Sequence, residues 1–179
     1  MAISQIQSAS LASGVPASSN MPTGSVLQVV QTFYTSTFST TSTSLTDITG
    51  FSISITPKFA TSKILLLVQL SVAQASNGGY TNGFVIIRNG STSVGNGTAG
   101  TSSNYITAAN SYAGESPICV SANYLDSPAS TSAQTYQVQT KCQSGSGTFY
   151  VNRTGNLNGG SQTYQGGYAS TITAMEIAA

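Results

Sequence analysis

The chain contains no histidine, so the imidazole that would activate a serine or cysteine nucleophile, or ligate a metal, is missing. Four carboxylates remain as candidates for chemistry: Asp47, Glu115, Asp126 and Glu176, each isolated in sequence. A fold that brought two of them together could act on a glycosidic bond, because that reaction needs only an acid and a base or nucleophile. Three of the four lie beside turn or loop signals, where a solvated or capping carboxylate is ordinary, so the sequence points away from catalysis. Cys119 and Cys142 are the only cysteines, and without histidine they cannot complete an ordinary structural zinc site. A disulfide between them would need neighbouring strands; the expectation is two reduced, buried thiols. Gly78-Gly79 and Gly159-Gly160 open no helix and so lack the context of a phosphate-cradling loop. No cofactor or metal is expected.

Binding chemistry is better represented. Tyr80, Tyr105, Tyr112, Tyr164 and Tyr168 lie in or beside stretches of Asn, Ser and Gly, a composition that can grip sugars or proteins through ring faces and amides. Tyr80, Tyr112 and Tyr164 are the candidates for surface recognition, against the plainer reading that such rings pack loops down or fill a subunit contact. Arg88 and Arg153 end candidate strands just before turns, where either could pair with an acid across a subunit boundary. Asn89-Gly-Ser, Asn96-Gly-Thr and Asn152-Arg-Thr match the glycosylation pattern, but chance matches are expected in a chain so rich in these residues.

Only 5% of residues are charged and the net charge is +1, too little to steer nucleic acid or an anionic membrane. Ser, Thr, Asn, Gln and Gly fill the polar positions instead, giving a neutral surface suited to dense packing beside identical copies. The N-terminus has neither the cationic nor the apolar region of a secretory signal, and the longest strongly apolar run, 64–68, is far short of the ~20 residues of a membrane helix. The expectation is a soluble protein made in a cytoplasm.

The element that must organise the rest is 62–73. Ile64, Leu66, Val68, Leu70 and Val72 share one parity and form a buried strand face, while Leu65 and Leu67 make half of the other face apolar, as in a strand away from a sheet edge. Further strands are expected over 26–38, 48–56, 83–88, 105–108, 117–125, 135–142, 149–153 and 168–177, with 39–46 as a link, Asn89-Gly90 as a tight hairpin turn and 91–103 as a surface loop. Tyr136, Val138 and Cys142 fall on one face of their strand; Ile172, Ala174 and Glu176 fall on one face of the last. Eight to ten antiparallel strands without a convincing helix indicate an all-β sandwich or barrel, best fitted by a jelly roll. Residues 1–23, with scattered Ile3, Ile6 and Leu11, read as a short arm that attaches elsewhere, and 24–179 as one domain.

Gly24-Ser-Val-Leu-Gln-Val-Val-Gln31, Gly50-Phe-Ser-Ile-Ser-Ile-Thr-Pro57, Ser62-Lys-Ile-Leu65, Arg88-Asn89-Gly90, Leu125-Asp-Ser-Pro128, Thr135-Tyr-Gln-Val138, Asn152-Arg153 and Ile172-Thr-Ala-Met-Glu-Ile177 occur in an order and spacing that carry a resemblance. Over about residues 24–179 the chain resembles the β-rich C-terminal domain of many bacteriophage virion surface proteins. The resemblance implies a homotrimeric knob with a jelly roll akin to tumour necrosis factor and C1q heads. The expected partners are further copies of itself, a major capsid protein or tail proteins, and a host surface glycan. Members of the family are often long fibres with this domain at the tip. Here only residues 1–23 precede it and they hold no heptads, so the expectation is a stand-alone knob on the virion surface, decorating or cementing the capsid. A short tail fibre or receptor-binding tip is the alternative.

Overall fold

The computed structural model describes residues 20–75, 81–98, 104–110, 117–142, 147–154 and 166–179, and these form an all-β sandwich. The strands in chain order are β1 (Val26–Tyr34), β2 (Phe38–Thr40), β3 (Thr46–Ile55), β4 (Lys63–Ala75), β5 (Thr81–Arg88), β6 (Thr92–Val94), β7 (Thr107–Asn110), β8 (Ile118–Asp126), β9 (Gln134–Thr140), β10 (Thr148–Val151) and β11 (Ser170–Ile177).

Several short strands lie end to end. The β4 ladder runs against β11 over Lys63–Gln69 and against β10 over Val72–Ala75, with β8 on its other side, so β10 and β11 form one ribbon. β1 and β2 flank that ribbon in the same way, and β6 and β7 share the free side of β5. Counted as ribbons, the first sheet runs β8, β4, β10/β11, β1/β2 and the second β3, β9, β5, β6/β7. The first ribbon pairs with the eighth, the second with the seventh, the third with the sixth and the fourth with the fifth. That is one long antiparallel hairpin rolled onto itself, the jelly roll.

The core follows parity. On β4, Ile64, Leu66, Val68, Leu70 and Val72 are all at most 3% exposed, and β4 has partners on both sides. Facing them from the second sheet are Phe51, Ile53 and Ile55 of β3, Phe84 and Ile86 of β5, and Tyr136 and Val138 of β9. Ile48 and Phe51 are both fully buried although their parities differ. Gly50 lies between them at φ +80°, where the β3–β9 register slips; this left-handed residue is a bulge that turns both side chains inward.

Three expectations are corrected. The stretch 26–38 breaks at 35–37 into β1 and β2, because β10 and β11, its partners, are themselves separated by a long excursion. The supposed loop 91–103 begins with β6, which Asn89-Gly90 (φ 51° and 78°) folds back onto β5. Part of the Thr/Ser link at 39–46 is also strand: β2 and the start of β3.

Candidate functional site

Two of the carboxylates lie on the same register row, on either side of Ile64: Asp126 on β8 and Glu176 on β11. Both are enclosed, at 5% and 0% exposure. Asp126 Oδ2 accepts from Arg88 Nη1 at 2.6 Å and from the Tyr136 hydroxyl at 2.8 Å, tying the edge of the first sheet to the second. Glu176 accepts from Lys58 N at 2.7 Å and from Gln28 Nε2 at 2.6 Å, and Gln28 also donates to Thr56 O. This fastens the β3–β4 connection and β1 to the end of β11. With protein donors on each and the fully buried Ile64 side chain between them, the two acids are built as ties. The expected Arg88 partner across a subunit boundary is thus corrected to Asp126 of the same chain. Asp47 instead accepts from Gln139 at an exposed position, and Glu115 lies outside the described residues. Among the described residues no three His, Cys, Asp or Glu groups cluster as metal ligands.

Burial, the bond to Asp126 and that carboxylate's charge raise the Tyr136 pKa well above its ordinary 10, against an opposing effect of Arg88. A raised phenol stabilises the fold fully below the unfolded-state pKa and loses that contribution as pH climbs towards the folded one. Unfolding free energy measured in urea should therefore begin to fall near pH 10, and Tyr136→Phe should flatten most of that fall. Tyr34, also raised by burial, leaves a smaller residual slope.

Cys142 is buried, but Cys119 is exposed on β8, and neither is in a disulfide. The expectation of two buried thiols fails at Cys119 because its parity on β8 is that of Ser121 and Asn123, which face away from the core. Asn152 is also buried, at φ 58°. Its amide donates to Tyr34 O and Ser36 O, and its side-chain oxygen accepts from Ser170 at 2.6 Å, so it locks the β1–β2 break to the start of β11. A glycan there is sterically excluded.

The surface that stands out is the outer face of the first sheet. Paired residues share a face, so the registers lay out rows across β1, β11, β4 and β8. One row is Val29, Met175, Leu65, Leu125; the next is Gln31, Thr173, Leu67, Asn123; the third is Phe33, Thr171, Gln69, Ser121. None of them is charged. Phe33 is 65% exposed, Val29 53%, Leu125 45% and Leu67 38%, an unusual concentration of bare apolar side chains on one face. Over β11, β4 and β8 the short Thr171, Thr173, Ser121 and Asn123 side chains leave a shallow open depression of about 390 Å3 beside Leu67 and Gln69. Within this layer the sequence reading identified Leu65 and Leu67 as a second apolar face. It did not separate Val29 and Phe33 from their neighbours, although their shared parity with Gln31 was the available signal.

No family model matches this chain, and no curated protein matches it.

The two ends of the sandwich differ. β1 begins beside the end of β11, where Gly24 N donates to Ala178 O at 2.8 Å and Ala178 N to Ser25 O at 2.9 Å, so residues 22–25 and the C-terminal residues lie at the same end. The connections 76–80, 111–116 and 143–146 join strand ends at the opposite end, about 40 Å away along the 13 residues of β4. The recognition candidates Tyr80, Tyr112 and Tyr164 and the arm residues Ile3, Ile6 and Leu11 lie outside the described residues. Of the other tyrosines, Tyr105 is packed down: a methyl added at Gly83 would lie 2.5 Å from its ring, so Gly83 is the space that ring occupies. Tyr168 is 36% exposed beside Gly166.

Proposed function

We propose that this chain is a non-enzymatic structural protein of a bacteriophage virion, a homotrimeric knob held on the particle surface by its N-terminal arm, where it decorates or cements the capsid. The observation that carries the reading is the polarity of the sandwich: residues 22–25, which follow the arm, lie at one end, and connections rich in Ser and Gly and bearing Tyr80 and Tyr112 join strands at the other. The virion assignment itself rests on the resemblance of residues 24–179. The bare apolar outer face of the first sheet supports self-association, because uncharged side chains at this exposure are stabilised by covering. Ties at Asp126 and Glu176 hold the arm's end of the sandwich rigid, which suits a part whose work is to hold a position.

A chain lacking residues 1–20 should remain a folded trimer and no longer add to purified particles. Binding retained by that truncation would overturn the attachment role of Ile3, Ile6 and Leu11. A second reading, a short tail fibre or receptor-binding tip that grips host glycan, is favoured by the placement of the segments bearing Tyr80 and Tyr112 at the end opposite the arm. Glycan-array binding abolished by Tyr112→Ala or Tyr164→Ala, with the fold intact, would favour it over capsid decoration.

A further inference from the structure

The chain has two arginines; Arg88 is committed to Asp126, whereas Arg153 pairs with no carboxylate among the described residues. Arg153 stands at a neck in the first sheet. Asn152 and Arg153, just past β10, face Gly167 and Tyr168, just before β11, through the Arg153–Gly167 bridge and a bond from Tyr168 N to Asn152 O. Phe149 and Val151 of β10 turn into the core, so Tyr150 between them faces outward, and the Arg153 guanidinium lies over its ring, 4.4 Å from the centroid. Arg153 Nε donates to Thr154 O at 3.2 Å, while neither Nη donates to a described residue. Stacked on a ring and tied at Nε, the guanidinium is fixed in its plane with the fork left to bind.

We infer that this neck is a subsite for an acidic sugar, the Arg153 fork taking its carboxylate or phosphate; the inference rests on the glycan-recognition reading above and names the ligand's chemistry. Residues opposed across an antiparallel bridge project to one face, so Gly167 shares the side of Arg153, and a side chain there would meet nothing within 4 Å. That is room for a ligand beside the guanidinium. Thr154 Oγ1, in a residue 3% exposed, has no hydrogen-bond partner, so the neck holds a second donor whose bond the chain does not make. The surroundings bear hydroxyls and no charge: Thr35, Ser36 and Thr37 are exposed at the β1–β2 break, which Asn152 grips through Ser36 O, and Tyr168 is 36% exposed. A planar fork takes an oxyanion bidentately, and hydroxyls with a tyrosine ring suit the sugar that carries it. A single cation in a neutral surface fits one charge set among hydroxyls; an acidic peptide or a nucleic acid would ask for several.

Nuclear magnetic resonance of the full chain tests this through its two arginine Nε–H signals, Arg88 serving as the internal control. Titration with glucuronate or glucose 1-phosphate should move the Arg153 signal to saturation, and glucose should leave it in place; the tighter of the two acids identifies the oxyanion. Arg153→Lys, which keeps the charge and loses the fork, should weaken binding at least about tenfold, measured by saturation transfer to the sugar. Gly167→Leu, which fills the open space without displacing a neighbour, should also weaken it at an unchanged melting temperature. A shift matched by sodium chloride at equal ionic strength would be screening alone and would overturn the subsite, as would binding that survives both substitutions. An Arg153 signal that ignores sugars and moves only as the chain is diluted would give the guanidinium to an acid of a neighbouring copy, and would overturn it too. Neutral glycans bound through Tyr112 or Tyr164 with Arg153 silent would overturn this subsite and leave the recognition reading standing, whereas an array on which no glycan is bound would overturn both.

Discussion

A chain ending at Ala169 should fail to fold. The missing segment includes β11, whose residues pair with β1 over Val26–Tyr34 on one side and with β4 over Lys63–Gln69 on the other. Losing it strips Ile172 and Ala174 from the core, removes the Glu176 carboxylate that holds Lys58 and Gln28, and leaves β1 without a strand partner in its sheet. β10 is too short to substitute, since its ladder with β4 spans only Val72–Ala75. Each fully buried isoleucine alone is worth about 1.5–3 kcal/mol, against the 5–15 kcal/mol that holds a typical domain together. The expected observation is no cooperative thermal transition and a far-ultraviolet dichroism spectrum without the sandwich signal. A cooperative transition within a few degrees of the full-length chain would contradict the placement of β11. The contrast with residues 1–20, whose deletion should leave the fold intact, makes the test sharp.

Asp126→Ala should cost about 3–5 kcal/mol of unfolding free energy, because it leaves two enclosed groups without their acceptor. The Arg88 guanidinium, 19% exposed on its side chain, loses the counter-charge at 2.6 Å; the Tyr136 hydroxyl, in a fully buried residue, loses its bond. The penalty arises from the stranded groups and not from the worth of the pair as such, so a volume-matched apolar replacement of all three, Arg88→Met with Asp126→Leu and Tyr136→Phe, should recover most of the loss. Urea unfolding at constant m-value measures both quantities. A single-substitution cost under about 1 kcal/mol would mean that the site is wetter than its exposure indicates, and would remove the tie between β8 and the second sheet.

Much of the fold was legible in the sequence where a strand obeys simple alternation. β4 showed its buried face and its central position through Leu65 and Leu67, and the last strand placed Glu176 on the same side as Ile172 and Ala174, which is how a fully buried acid could be anticipated. Alternation stopped informing where local geometry resets it. Gly50 shifts the parity of β3 by one residue, so Ile48 and Phe51 face the same core although the pattern alone would set them apart. β6 is three residues of Thr, Ser and Val whose pairing depends on the Asn89-Gly90 turn more than on its own composition. The partnership of Arg88 with Asp126 joins residues 38 apart on different sheets, and only the roll of the hairpin brings them together. Cys119 differs for a local reason: at the start of the edge strand β8 parity relative to Val120 decides exposure, and the cysteine takes the outward position. The exposure of Phe33 on the outer face was hidden because β1 is apolar on both faces; only the register with β11 tells which valines and aromatics look outward.

The central claim is that a neutral, apolar-faced sandwich exists to stand beside copies of itself. Sedimentation equilibrium of the purified full-length chain tests it most directly. The account predicts a single species of three times the 18.2 kDa chain mass, unchanged over a wide dilution range, whereas a stable species of one chain mass at high concentration would contradict it.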